Sequence, residues 1–373
     1  MSSSARPTRT THAAFRIFLV VWTLALAFAA LEITGRAYYM VRKHQSFWIT
    51  PRRLVDLWYP EVRAERAKYR PGEVNVLILG GSVLHHDFGN VEGELRQRLE
   101  ASLGQPVAVV NLAMLAHGTL DSCYKYQLVR DLPFDAVLVY HGINELRANN
   151  VPPRFWRDDY SHYAWYDEIN FYFRHPWLAG LPFIAPYYVK HLYVALFREV
   201  LHPQAFVKQH RPRPDWMVYG STIRTAGPFR ANLERIIALA RAKQDPIVLM
   251  TFASYVPKSY TLERFKRGEL PYAAGDRKKE IELWGFPENI VKGLEVHNTV
   301  IRSLAAEYRL PLADEMGAIG GRPEYFIDIC HLSAAGVTAF VEQAVPVVSK
   351  TLVEGRGRLR NSIPGTKGTR NTE

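Results

Sequence analysis

Between residues 74 and 352 the chain alternates two kinds of apolar pattern, and this alternation constrains the fold more than any other feature. Short, almost wholly apolar runs rich in Val and Ile take turns with longer stretches in which apolar residues recur every three or four positions. The short runs suit strands buried on both faces; the longer ones suit helices with a single apolar stripe. Strands are expected at 74–79, 107–112, 136–140 and 247–252, with a short one near Leu312. Helices are expected at 91–103, 120–132, 229–243, 288–308 and 334–352. That order predicts an α/β fold, a three-layer α/β/α sandwich around a central parallel sheet.

In an open parallel sheet, ligands meet the loops beyond the carboxyl ends of the strands. Gly80-Gly81-Ser82 follows the first strand, and Asn111 with a loop to Gly118 follows the second. His141-Gly142-Ile143-Asn144-Glu145 follows the third, and Asp328-Ile329-Cys330-His331 precedes the last helix. The fold would gather these distant segments on one rim. A serine hydroxyl is a poor nucleophile until a base takes its proton. His331 can be that base for Ser82, and Asp328, three residues earlier, can hold the imidazole in the productive tautomer. The oxyanion of a tetrahedral intermediate needs preorganised donors. The candidates are the Ser82 N–H, the N–H of Gly118 or Ala116, and the Asn144 side-chain amide. Each segment alone reads as an ordinary turn or helix cap; their joint order at the strand ends carries the argument.

These segments resemble the blocks of the SGNH (GDSL-type) hydrolase superfamily, in its membrane-anchored bacterial form, over residues 74–353 apart from an insertion. The nucleophile block matches Leu79-Gly80-Gly81-Ser82-Val83, with Gly81 where the family usually has an acid. The third block matches Gly142-Ile143-Asn144-Glu145 and the last matches Asp328-Ile329-Cys330-His331. The family's oxyanion glycine falls where Ala116 stands, with Gly118 two residues further on. The resemblance implies an SGNH/flavodoxin-like sheet and a serine esterase or acyl hydrolase. It would work through a Ser82 acyl-enzyme on a small-molecule or carbohydrate ester, without a cofactor. An O-acetyl esterase or O-acetyltransferase of cell-envelope polysaccharide is the alternative. A non-catalytic binding protein that has kept the fold is the alternative from another class.

The two cysteines, Cys123 and Cys330, exclude a disulfide scaffold and a Cys-rich zinc site, and leave their mutual pairing open. His85, His86, His117 and His141 fall near the same rim, but no His-Glu-x-x-His spacing occurs, and no metal is expected. His141 is expected to line the pocket, and Cys330 to be a buried thiol beside the already assigned His331.

Residues 17–31 carry no charge, and apolar character resumes after Glu32 and Arg36, which are spaced to pair on a helix. As a helix, residues 17–39 span roughly 34 Å at about 1.5 Å per residue, enough for a bilayer core. The expectation is a disordered stretch over 1–12 and a single-pass transmembrane signal anchor over 13–41. A cleaved signal peptide, with Ala27-Phe28-Ala29 as its small-x-small site, and a buried helix remain competing readings. Basic residues flank both ends, so the charges do not orient the span; an extracytoplasmic (periplasmic) catalytic domain over 47–354 follows only from the envelope chemistry the resemblance implies.

The net charge of +11 is concentrated in the flanks: residues 1–53 contribute +7 and residues 355–373 contribute +4, leaving the body neutral. There is no basic stripe, and nucleic-acid binding is excluded on that ground. The flanks read as membrane-adjacent charge and a disordered basic tail over 355–373. One interval exceeds a minimal sheet domain. About a hundred residues separate the third and fourth strands, too many for a structureless loop, and positions 155–197 hold fifteen aromatics. An aromatic-rich insertion over about 150–225 is expected, with a small core of its own, or serving as a cap over the site or a surface resting on the bilayer.

Overall fold

The computed structural model describes residues 9–201 and 212–362. The chain divides into two units, residues 1–60 with 161–207, and residues 61–160 with 208–373.

The first unit is built on helix α1 (Arg9–Lys43). Its segment Ala13–Lys43 contains an 18-residue stretch with a mean hydropathy of 2.2 and is long and apolar enough to cross a membrane. The helix already runs from Arg9, inside the stretch expected to be disordered; residues 1–8 lie outside the described residues. Glu32 and Arg36 pair as their spacing predicts, at 2.6 Å. The pair is also spent on the insertion. Glu32 Oε2 accepts the Ile184 and Ala185 N–H groups at 2.9 and 2.8 Å, at the start of helix Ala185–Leu192. These are orphan donors at a helix N-terminus, where a carboxylate is favoured. Arg36 donates to the carbonyls of Phe47, Ile49 and Pro182. Gly35 permits the close approach: a Cβ there would lie 2.9 Å from the Tyr188 side chain.

Helix Ala164–Arg174 packs on the helix Ala185–Leu192 and its continuation Tyr193–Leu201. Among the insertion's aromatics, Tyr163, Tyr166, Tyr172 and Tyr187 are buried, while Trp177, Phe183, Tyr193 and Phe197 are exposed. The set therefore splits between a small core and a surface.

The second unit holds the sheet: β1 (Val74–Gly80), β2 (Val107–Asn111), β3 (Ala136–Tyr140), β4 (Ile247–Met250) and β5 (Leu312–Ala313). All pairings are parallel, in the order β2-β1-β3-β4-β5. Every residue of β1 through β4 is buried, Asn75 and Asn111 included, as strands covered on both faces require. The longer helices are α2 (Val91–Leu103), α3 (Thr119–Leu128), α4 (Ala226–Lys243), α5 (Pro287–Tyr308) and α6 (Ala334–Ser362). α2 packs on α6, and α4 packs on both α3 and α5. Val74, Val76 and Ile78, alternating along β1, share one core with Leu95 and Leu99 of α2 and Phe340, Val341 and Ala344 of α6. α2 starts where the Asn90 side chain accepts the Gly93 N–H and stops at left-handed Gly104.

The sandwich expected from the sequence is thus present, with shifted ends. β5 is only two residues long. α6 continues to Ser362, past the expected start of a disordered tail at 355, because Arg and Leu on either side of the glycines are good helix formers. Residues 363–373 lie outside the described residues.

The strand order itself locates a crevice. β1 has β2 on one side and β3 on the other, so the connections after β1 and β2 run in opposite directions. Loops part at such a switch point and leave room for a ligand at the carboxyl ends. The register sets Gly80 beside Tyr140 and Ile78 beside Asn111, which brings the three strand ends close in height.

Candidate active site

Ser82 opens a short 3-10 turn directly beyond β1. Its Oγ lies 2.8 Å from His331 Nε2. His331 Nδ1 lies 2.7 Å from Asp328 Oδ2. Residues 249 positions apart are therefore in hydrogen-bond contact. Asp328 Oδ1 accepts the backbone N–H groups of Cys330 and His331 at 2.9 and 2.8 Å, and Oδ2 also accepts the Lys279 N–H at 2.8 Å. With three N–H groups already donating to it, the carboxylate faces the ring as an acceptor, so Nδ1 carries the proton. Nε2 then presents its lone pair to the Ser82 hydroxyl. The Phe88 ring stacks on His331 at 3.9 Å between centroids, inclined by 19°. Asp328 is 0%, His331 1% and Ser82 7% exposed, so the series runs from a dry interior to an accessible hydroxyl.

Asn144, beyond β3, reaches the same place. Its Nδ2 donates to the His117 carbonyl at 2.9 Å, and its Oδ1 accepts from Trp284 Nε1 at 3.1 Å. One N–H of the amide remains. A Cβ on Gly81 would sit 2.7 Å from this Nδ2, so the amide lies against the backbone just before Ser82. Gly81 lacks a side chain for that steric reason. Gly142 has a similar one, since a Cβ there would run into the Phe252 ring at 2.5 Å. Asn111 ties two of the loops together: its Nδ2 donates to Leu84 O at 2.9 Å and its Oδ1 accepts the Ala113 N–H at 3.0 Å.

Gly118 does not fit the oxyanion role expected of it. Its N–H donates to Asp121 Oδ2 at 2.8 Å, and the Glu145 carboxylate accepts the next N–H, from Thr119. Two carboxylates thus close the N-terminus of α3, as its dipole favours. A Cβ on Gly118 would lie 2.7 Å from Glu145 Oε1, which explains the glycine without any catalytic role. Ala116 instead occupies the left-handed region, at φ 64°, the conformation that favours glycine. Among the described residues, neither the Ala116 nor the Ser82 N–H has a hydrogen-bond partner.

Beneath the rim lies a buried polar layer. Lys125 Nζ donates to Leu112 O at 2.6 Å and pairs with Glu61 at 2.9 Å, while burial pushes its pKa down. Burial holds His117 and His141 neutral, each pushed down to about 3. His141 contacts Ser122 Oγ at 2.7 Å and is 2% exposed; it belongs to this layer and does not line the pocket. Burial also pushes the Glu145 carboxyl up to about 7, and its Oε2 has no partner among the described residues. Cys123 and Cys330 are both free and buried, and burial pushes the Cys330 thiol well up. Among the described residues, two trios bring possible metal-ligating atoms together: His85, His86 and Asp87, and Asp328, Cys330 and His331. In the first, Asp87 is engaged by Arg277 at 3.0 Å; the second is the turn just described.

Ser82, His331, Asp328 and Asn144 are therefore gathered as the sequence predicts. Lys279, Phe88 and Trp284 join them with no local sequence signal, because each is delivered by tertiary packing.

No protein-family model matches the chain, and no curated protein does. Among solved structures, the chain is similar to a GDSL-like lipase from Bacteroides thetaiotaomicron at 11% identity, covering 79% of this chain and 97% of that one, with a TM-score of 0.42. It is similar to a carbohydrate acetylesterase family member from Sinorhizobium meliloti at 13% identity, covering 75% and 99%, with a TM-score of 0.41. It is also similar to an acetylxylan esterase from Geobacillus stearothermophilus at 13% identity, covering 74% and 94%, with a TM-score of 0.41. At identities and scores this low, the atoms of the site, and not the likeness, carry the functional reading.

Proposed function

We propose that the protein is a serine esterase or acyl hydrolase in which Ser82 is the nucleophile, His331 the base and Asp328 its orienter. The observation that carries this reading is the continuous chain Ser82 Oγ to His331 Nε2 at 2.8 Å and His331 Nδ1 to Asp328 at 2.7 Å, with the far carboxylate oxygen filled by backbone donors. Ser82 Oγ attacks the ester carbonyl as its proton passes to Nε2. The resulting oxyanion is met by the Ser82 and Ala116 N–H groups and the spare N–H of Asn144. Collapse expels the alcohol, which takes the proton back from Nε2 and leaves an acyl-Ser82 ester. A water deprotonated by the same nitrogen then releases the acid.

The substrate class we favour is an acylated small molecule or carbohydrate, and transfer to a sugar hydroxyl differs from hydrolysis only in the nucleophile of the second half-reaction. We read α1 as a single-pass anchor and the sheet unit as extracytoplasmic; the apolar, unburied 18-residue stretch within Ala13–Lys43 supports the anchor.

The test uses the full chain in detergent, with an ester panel from acetyl to long-chain and O-acetylated oligosaccharides. Acetate release and acetyl transfer to added sugar are measured in parallel. A fluorophosphonate should label the wild type and leave Ser82→Ala unlabelled. Labelling of that variant at the wild-type rate would overturn the assignment.

A further inference from the structure

The first unit contains a cavity of about 310 Å³ that takes no part in the chemistry above. Tyr39, Lys43, Trp58, Trp165, Glu168 and His191 contribute to its wall. Its position and composition are both specific. Lys43 is the last residue of α1, so on the anchor reading the cavity sits where the apolar span ends and lipid headgroups begin. The helix segment that supplies His191 also exposes Val189, Tyr193, Leu196 and Phe197, an apolar surface suited to the same interface. Leu57, Ala164, Val194 and Ala195 make the rest of the wall apolar, and its charged groups stand at separate places on it. Glu168 is held by His191, with Oε1 to Nδ1 at 3.0 Å, on one part of the wall, and the Lys43 ammonium supplies opposite charge on another. Indole faces attract organic cations, and a lysine ammonium takes phosphate as a point charge. A volume of this size stands at the small end of ligand pockets.

We infer that this cavity binds the headgroup of an amine-bearing phospholipid, its phosphate against Lys43 and its ammonium between Glu168 and the tryptophans. The assignment rests on α1 being a membrane anchor. A bound lipid would fix the depth of the aromatic unit at the bilayer surface.

The full chain is reconstituted in nanodiscs of phosphatidylethanolamine mixed with phosphatidylglycerol, and the lipid retained on release into the gas phase is counted by native mass spectrometry. The wild type should keep one phosphatidylethanolamine in preference to phosphatidylglycerol. Glu168→Gln, which preserves shape and a hydrogen bond to His191, should reduce that preference about tenfold. Lys43→Gln, at the exposed last residue of α1, should weaken retention of both lipids. Equal retention of the two lipids by the wild type, or a preference untouched by both variants, would overturn the inference. So would displacement by equimolar glycerophosphoethanolamine, which would make the ligand a soluble phosphoamine. Alkaline extraction of the native membranes separates the two layers of argument. A chain stripped off by carbonate defeats the anchor, whereas a retained chain without lipid preference defeats only the headgroup site.

Discussion

Trp284 Nε1 donates to Asn144 Oδ1 at 3.1 Å, and because an indole N–H can only donate, this contact decides which end of the Asn144 amide faces Ser82. A flipped amide would turn an oxygen toward the developing oxyanion. Trp284→Phe keeps most of the ring volume and removes the donor. We expect kcat to fall by about 10- to 100-fold with KM little changed, and Asn144→Ala to lose about 10²- to 10³-fold. Steady-state kinetics on the best ester of the panel checks both. A Trp284→Phe enzyme with altered KM and intact kcat would assign the indole to substrate binding.

Asp328→Asn offers a finer test than deleting the nucleophile. An amide cannot accept on both ends, yet four N–H donors converge on this side chain. The imidazole would turn its tautomer, placing a proton on Nε2 where the hydroxyl needs an acceptor. The expected loss in kcat is roughly 10⁴-fold, with Ser82→Ala losing at least as much. Thermal melts separate this chemical loss from unfolding.

Ala116 and Gly118 should respond in opposite ways to exchanging their side chains. Ala116→Gly relieves a positive φ, and we expect activity retained and stability unchanged or raised by up to about 1 kcal/mol. Gly118→Ala keeps its N–H but drives a methyl into Glu145, and should cost about 1–3 kcal/mol. Denaturant titrations measure the pair. A harmless Gly118→Ala would mean that the carboxylate moves aside freely.

The Glu145 carboxyl sets a pH signature. Burial raises it from 4.5 to about 7, so the folded state holds a proton that the unfolded chain has already lost between those values. Its contribution is fully present below pH 4.5 and is lost as the pH rises through 7. Melting temperatures of the wild type, measured against Glu145→Gln across this window, should decline with rising pH relative to the variant. A constant difference would show that the group titrates alike in both states. His117 and His141 act in the reverse sense, being held neutral when folded, and cancel from the comparison because both proteins keep them.

Much of this was legible in the sequence because buried parallel strands write themselves as uninterrupted apolar runs. Ala136–Tyr140 and Val91–Leu103 have the expected limits. Ser82, Asn144, Asp328 and His331 were legible because a sheet of this kind sends polar residues only to its rim. The sequence left the oxyanion donor open between Gly118 and Ala116, because a glycine needed to make room for Glu145 looks, in one dimension, the same as one needed for a left-handed turn. That turn is taken by Ala116, whose backbone angle leaves no trace in the residue's identity. Trp284 and Lys279 were invisible since their partners come from segments 140 and 49 residues away.

The Glu32–Arg36 pair changes what a truncated protein would be. Five backbone groups of the segments around 47–49 and 182–185 depend on those two side chains. Removing α1, or exchanging it for a generic hydrophobic sequence, would therefore pull the spine out of a folded neighbour. Helix α1 is scaffold, and expression designs that treat it as a disposable tag would yield a protein missing part of its own interior.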